Sequence, residues 1–198
     1  PVTAEVSAAL SRDSQGVCAV ASADAVSREL PEPSMGETLV VLAQGRDPGN
    51  VGTIIRTADA FGAVGVIAVS GTVEATSPKV VRASAGSVFH IPVCIVPSFE
   101  EAHALIHRRS AALLGTSGGA GSLDLSQMLA QGVSGRSRLS QSHAWVFGNE
   151  AKGLSGAEMR LCDALVSIPM TGDAESLNVA SAATACLFAS QTVRGMAL

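Results

Sequence analysis

The sequence predicts an α/β protein in which a parallel sheet is covered by helices on both faces. Three observations carry that expectation. From Thr38 onward, apolar runs, polar loops and segments of helical period alternate along the chain, as in a parallel sheet with crossover helices. The apolar runs, such as Leu39-Val-Val-Leu42, are continuous, as strands buried on both faces require. Glycine-bearing loops at 115–119, 148–153 and 170–176 follow three of the runs and should open at one edge of the sheet, where open α/β folds bind ligands. A length of 198 residues suits one medium domain plus an extra element. Aromatic residues are 3% of the chain and Tyr is absent, so the core must be built from Val, Leu, Ile and Ala.

Residues 1–36 read as an N-terminal segment and linker. An amphipathic helix carries Val2, Val6, Ala9 and Leu10, a short strand occupies 17–21, and Pro31, Pro33, Ser34 and Gly36 punctuate the linker after it. This segment is too short for a domain; it is either the tail of a substrate-binding domain or a decorated N-terminus. Residues 37–198 form the main domain. After the strand at 39–42, Asp47-Pro-Gly-Asn50 is a turn with Asn50 placed to cap a helix. Val51, Ile54, Ile55 and Ala58 recur at helical spacing and face the sheet. Arg56 lies about 140° around that helix from Val51 and need not be buried. Gly62 ends the helix, and 64–69 is the next strand.

A helix over 77–86 has Pro78 in its first turn. It is followed by a strand at 90–96, a helix at 99–109 and a buried strand at 111–115. Residues 116–142 are Gly/Ser-rich, with one helical turn near 123–130. A strand at 144–147, a helix at 155–161 and a last strand at 164–168 complete the alternation. Pro169 breaks that strand, a polar loop comes next, and Ser176 caps a helix built almost wholly of Ala, Ser and Thr. Without bulky side chains, such a helix lets another backbone come very close.

The formal net charge of −4 argues against a protein that holds nucleic acid by bulk charge. However, 11 of the 13 cations are Arg, which suits bidentate phosphate contacts at a few points. Cys18, Cys94, Cys162 and Cys186 are widely spaced and read as small buried apolar residues, with neither a disulfide framework nor a zinc site. His90, His103, His107 and His143 form no metal motif and read as surface residues, so no metal is expected. No signal peptide and no run of membrane-spanning length is visible, which points to the cytoplasm. A first residue of Pro rather than Met points to processing or truncation.

Gly115-Thr-Ser-Gly-Gly119 satisfies the pattern of a serine-hydrolase nucleophile elbow. A triad of Ser117, Asp124 and His143 can be written from it, although the segment after the strand is Gly-rich rather than a clean helix. There is no Gly-rich dinucleotide fingerprint and no Walker loop. The residues of the three glycine-bearing loops read as small or neutral, offering backbone amides and carbonyls to a base and a ribose rather than charges to phosphates.

Three segments together resemble the ordered signature motifs of the SpoU/TrmH-type RNA ribose 2′-O-methyltransferases of the SPOUT superfamily. They are 47–63 (Asp47-Pro-Gly-Asn50 through Arg56), 145–155 (Trp145-Val-Phe-Gly-Asn-Glu150 onward) and 168–178 (Ile168-Pro-Met170 to Ser176-Leu-Asn178). The likeness spans roughly residues 38–192. It implies a C-terminal trefoil knot, which is an exception to the rule that chains do not thread loops. It also implies transfer of a methyl group from S-adenosylmethionine to a ribose hydroxyl of rRNA or tRNA, with rRNA favoured. By the same resemblance the cofactor site comprises Leu114, Thr116, Ser117, Phe147, Gly148, Asn149, Gly153, Ile168, Met170, Ser176 and Leu177. Asn50, Arg56, Glu150 and Asn178 would carry the catalytic polar chemistry, with Arg56 anchoring the alkoxide or the adjacent phosphate and either phosphate or water taking the proton. Arg46, Arg56, Arg82, Ser84 and Glu150 would face RNA. Family members are typically homodimers, so a two-fold dimer is expected, with Arg or Asn side chains completing the neighbour's site. A binding module that has kept the fold without catalysis is the other reading of the same motifs.

Overall fold

The computed structural model of the chain describes residues 2–10, 18–119, 121–132 and 134–196. Seven strands form one wholly parallel sheet: β1 (Thr38–Leu42), β2 (Gly65–Val69), β3 (Val93–Val96), β4 (Ala112–Thr116), β5 (Leu123–Asp124), β6 (His143–Phe147) and β7 (Ala164–Ser167). Their order is β3-β2-β1-β6-β4-β7-β5. Among the described residues seven α-helices accompany them: α1 (Ala4–Leu10), α2 (Pro48–Ala60), α3 (Pro78–Ala83), α4 (Phe99–Arg108), α5 (Leu125–Gly132), α6 (Gly156–Leu161) and α7 (Val179–Met196). The expected parallel α/β architecture is therefore present.

Because successive strand residues point to opposite faces, β1 sends Val40 and Leu42 into one core and Leu39 and Val41 into the other. The first core is closed by α2, α3, α5 and α7, and it holds Trp145 and Phe147 of β6. The second is closed by Phe99, Ala102 and Ile106 of α4, with Met159 and Leu161 of α6 packed against it. The small residues of α7 do allow close approach: a Cβ on Gly132 of α5 would come 2.4 Å from Val193.

Several local details differ from the sequence reading, each for a physical reason. Asp47, not Asn50, caps α2: its Oδ1 accepts from the Asn50 amide at 2.8 Å, while Pro48 fills the first helical position. Asn178, not Ser176, caps α7, its Oδ1 accepting from the amides of Ala180 (2.8 Å) and Ser181 (3.3 Å). Of the strand expected at 17–21, Val17 lies outside the described residues. Cys18 to Ala21 are irregular and exposed, with Val20 93% exposed. In α1 no residue is buried. Cys18 is exposed rather than buried; Cys186 is buried, and Cys94 and Cys162 are intermediate. Burial, aided by the Asp163 and Glu158 carboxylates, pushes the Cys162 thiol up to about 12.

His143 is the largest departure, because it is fully buried. Its Nδ1 donates to the Gln141 carbonyl (2.8 Å), leaving Nε2 to accept from the Ser190 hydroxyl of α7 (2.7 Å). The same hydroxyl accepts from Trp145 Nε1 at 2.8 Å. Desolvation holds His143 down at about 4, well below the ordinary 6.5. At the same edge of the sheet, buried Arg109 forks onto Glu37 (2.7 and 2.8 Å) and donates to the Pro31 carbonyl (2.8 Å). This fastens the linker to the body. Burial works to raise the Glu37 pKa, but the Arg109 and Ser34 hydrogen bonds outweigh it and hold the carboxyl below its usual range.

Candidate active site at the carboxyl edge of the sheet

The loops after β4, β6 and β7 converge on one cavity of about 480 Å³, within the ~300–1,000 Å³ common for small-molecule sites. The β4 loop contributes Thr116, Ser117 and Gly118, the β6 loop contributes 148–154, and the segment after β7 contributes Ile168, Met170 and 175–177. Val179 and Ala182, from the first turns of α7, form part of its wall.

The β6 loop owes its shape to two glycines. Asn149 and Gly153 exchange backbone hydrogen bonds (3.0 and 2.8 Å), and the Asn149 side chain accepts from the amides of Ala151 and Lys152 (3.0 and 3.2 Å). Gly153 sits at φ +65°, and a Cβ on Gly148 would fall 2.3 Å from the Gly153 carbonyl carbon. Neither position tolerates a side chain without moving the loop. The Thr116 hydroxyl donates to the Val146 carbonyl (2.9 Å), and the Ser117 amide donates to Val166 (3.0 Å), binding the β4 loop to its neighbours.

A second set of contacts joins this cavity to the start of α2. The Glu150 carboxylate accepts from the backbone amides of Arg46 (3.2 Å) and Asp47 (3.0 Å). Asp47 caps α2, and farther along its first turn Asn50 Oδ1 accepts from Asn178 Nδ2 at 3.0 Å. Asn178 in turn caps α7. One continuous path of hydrogen bonds therefore runs from the β6 loop through the α2 cap to the α7 cap.

Among the site residues expected from sequence, Thr116, Ser117, Gly148, Asn149, Glu150, Gly153, Ile168, Met170, Ser176 and Leu177 line the cavity. Leu114 and Phe147 do not: strand alternation turns both into the core under α7, where they are at most 1% exposed. Ser84 is not on a rim either, being wholly buried with its hydroxyl donating to the Val81 carbonyl (2.9 Å). Arg46, Arg56 and Arg82 are exposed. Arg56 is not part of the cavity wall; it stands six residues past Asn50, about 9 Å along α2 at 1.5 Å per residue. The wall also includes Lys152, Leu154, Met159, Val166, Glu175, Val179 and Ala182, which the motifs did not single out.

The hydrolase triad is excluded by topology. Ser117 follows the carboxyl end of β4, whereas His143 begins the parallel neighbour β6, at the opposite edge of the sheet. His143 is already bonded to Ser190 and Gln141, and Asp124 accepts from Ser126 and Gln127.

The sequence profile of the SpoU rRNA Methylase family matches residues 37–188. The chain belongs to that family. Among curated SpoU relatives, the 23S rRNA (uridine(2479)-2′-O)-methyltransferase of Streptomyces viridochromogenes is 42% identical over 146 residues, 71% of this chain and 47% of that protein. The 23S rRNA (guanosine-2′-O-)-methyltransferase RlmB of Bordetella pertussis is 34% identical over 196 residues, 96% of this chain and 76% of that one. The chain thus spans about half the length of the first relative and about three quarters of the second. Among solved structures, the SpoU methyltransferase AviRb from Streptomyces viridochromogenes in complex with AdoMet superposes with a TM-score of 0.70 at 38% identity. That match covers 82% of this chain and 61% of AviRb.

The SpoU cavity here fits such a donor on its own chemistry. Its wall is glycine-rich with apolar Ile168, Met170 and Leu177, and contains no arginine cluster of the kind a nucleotide phosphate would call for. Among the described residues, no group of three His, Cys, Asp or Glu is arranged to hold a metal ion, and no helix is long and apolar enough to cross a membrane.

Proposed function

We propose that this chain is the catalytic part of an S-adenosylmethionine-dependent RNA methyltransferase that modifies a ribose 2′-hydroxyl, with rRNA as the favoured substrate. The observation that carries the reading is the convergence of three loops, two of them within the signature motifs, on one glycine-shaped cavity in a SpoU family member. The names of its relatives support rRNA over tRNA. The cofactor supplies a methyl group on a sulfonium, whose sulfur keeps the bonding electron pair as the methyl passes to oxygen. The residues 116–118, 148–154 and 168–177 hold the donor and exclude water from one side of it. An arginine guanidinium is cationic at neutral pH, so Arg56 stabilises the developing alkoxide or steadies the neighbouring phosphate. Water or a phosphate oxygen takes the hydroxyl proton. Asn50, Glu150 and Asn178 keep the α2 entrance, the β6 loop and the start of α7 in register, so that the hydroxyl meets the methyl group in a fixed geometry. Arg46 and Arg82 supply RNA phosphate contacts.

Because Arg56 is outside the cavity wall, the same reading requires a two-fold homodimer in which α2 and α7 meet a second copy. Phe188 of α7 supports this: it is 54% exposed and packs edge-on against Phe61, 6.1 Å between ring centroids. Phe188→Asp should yield a folded monomer that has lost transfer; a monomer with unchanged activity at nanomolar concentration overturns the dimer. Residues 1–36 act as the connection to RNA recognition, the C-terminal trefoil knot of the family is part of the reading, and the location is cytoplasmic. The test is transfer of a tritiated methyl group into rRNA and tRNA, with Arg56→Ala as the partner experiment. That substitution should lower transfer about 10²-fold or more while leaving S-adenosylhomocysteine affinity unchanged. Transfer to neither RNA, or full activity of Arg56→Ala, refutes the assignment.

A further inference from the structure

The cavity wall contains three ionisable side chains, Glu150, Lys152 and Glu175. Glu150 is committed, since its carboxylate accepts from the backbone amides of Arg46 and Asp47. Lys152, on the β6 loop, and Glu175, on the segment after β7, are exposed. Among the described residues neither side chain has a hydrogen bond or ion pair, and the two do not bridge each other. The remaining wall is neutral. Beside the committed Glu150 carboxylate, the cavity thus carries one uncommitted cation and one uncommitted anion, on two different loops.

We propose that Lys152 and Glu175 read the zwitterionic amino-acid tail of the cofactor, Lys152 taking its carboxylate and Glu175 its ammonium. This rests on the cofactor reading above and adds residues that the three motifs do not assign. The loops that shape the cavity bind the adenosine portion through backbone groups and apolar contacts; those interactions are the same whether or not a tail is present. The charge pair distinguishes a tailed adenosine from one that lacks it. An approaching zwitterion matches the pair in charge at both ends, and neither side chain has to break an existing contact to meet it. Both groups are solvated before binding, so each contributes as a surface ion pair does, modestly and in a salt-sensitive way.

The experiment is titration calorimetry of the full chain with S-adenosylhomocysteine and with 5′-methylthioadenosine, which keeps the adenosine and the thioether and lacks the amino-acid tail. Wild type should prefer the tailed ligand. Lys152→Gln and Glu175→Gln should each weaken S-adenosylhomocysteine binding by about threefold to fivefold, less at high salt, and leave 5′-methylthioadenosine binding and the melting temperature unchanged. Equal weakening of both ligands would mean that the residues merely shape the loops. No weakening of either, or equal affinity of wild type for the two ligands, likewise overturns the proposal. If wild type binds neither ligand, the cofactor reading itself fails, a result separable from the others because it appears before any substitution is made.

Discussion

Replacing Gly148 by Ala tests whether the β6 loop owes its shape to the absence of a side chain. The added Cβ would lie 2.3 Å from the Gly153 carbon, 2.5 Å from its oxygen and 2.5 Å from the Leu154 amide. All three are backbone atoms, so no rotamer change relieves the clash. The loop must open, and the Asn149–Gly153 pair of backbone hydrogen bonds is the first thing to give way. Overpacking of this kind costs about 1–3 kcal/mol, and each broken hydrogen bond about 0.5–1.5 kcal/mol. The displaced residues are cavity wall, so the strain falls on the ligand-binding conformation, and at about 1.4 kcal/mol per decade binding should weaken about tenfold or more. Urea unfolding and calorimetry with S-adenosylhomocysteine measure the two effects. Gly118→Ala is the control for the unfolding measurement alone, since a Cβ there meets nothing within 4 Å. A Gly148→Ala protein that unfolds and binds like wild type would show that the loop does not need this close approach.

Asn178→Ala should cost about 0.5–2 kcal/mol in urea unfolding, the range for removal of a helix cap, and should also loosen Asn50, its side-chain partner. Ser110→Gly should stabilise the fold by about 0.5–1 kcal/mol, read as a raised melting temperature. Ser110 sits at φ +55°, just past the end of α4, where a left-handed non-glycine residue costs about 1–2 kcal/mol and glycine gives back part of that in chain entropy. The pH dependence of stability should carry the mark of His143. Its folded pKa of about 4 lies below the ordinary 6.5, so between those values the unfolded chain binds more protons. Stability is therefore full above about pH 6.5 and declines as pH falls toward 4, by up to about 3 kcal/mol. Glu37, whose pKa is also lowered, adds to the loss only as pH drops below the ordinary carboxylate value of 4.5. Urea unfolding from pH 7.5 to 4 tests the first window, and a flat profile would mean that His143 is not held neutral.

The parallel sheet was legible because its strands are unbroken apolar runs and its turns carry Pro and Gly at the points where the chain must reverse. The start of α2 was misread by three residues because Asp47 and Asn50 are both good caps; Pro48 at the first helical position was the signal that decides for Asp47. The edge strand β5, two residues long, leaves no period to detect. The burial of His143 was not legible because its partner, Ser190, is 47 positions away in sequence, a relation that no local pattern encodes. At the candidate site, the motif loops announced where a ligand would sit. The ordering contacts among Glu150, Asp47, Asn50 and Asn178 needed coordinates, since they join residues more than a hundred positions apart. Leu114, in the middle of β4, and Phe147, the last residue of β6, both point into the core under α7, because a likeness in sequence does not say which face a strand residue takes.

The Ser190 hydroxyl has a mechanical consequence. It accepts from Trp145, donates to His143 and lies 3.2 Å from the Cys186 carbonyl, so sliding α7 along the sheet by even one residue would strip Trp145 Nε1 of this partner and leave His143 Nε2 only its 3.5 Å contact with Thr38. A buried group left unpaired costs about 1–3 kcal/mol. The last helix is consequently pinned toward its far end while its capped start forms part of the cavity wall. The part of the cavity wall that α7 supplies is therefore held to the sheet by a contact well outside the cavity.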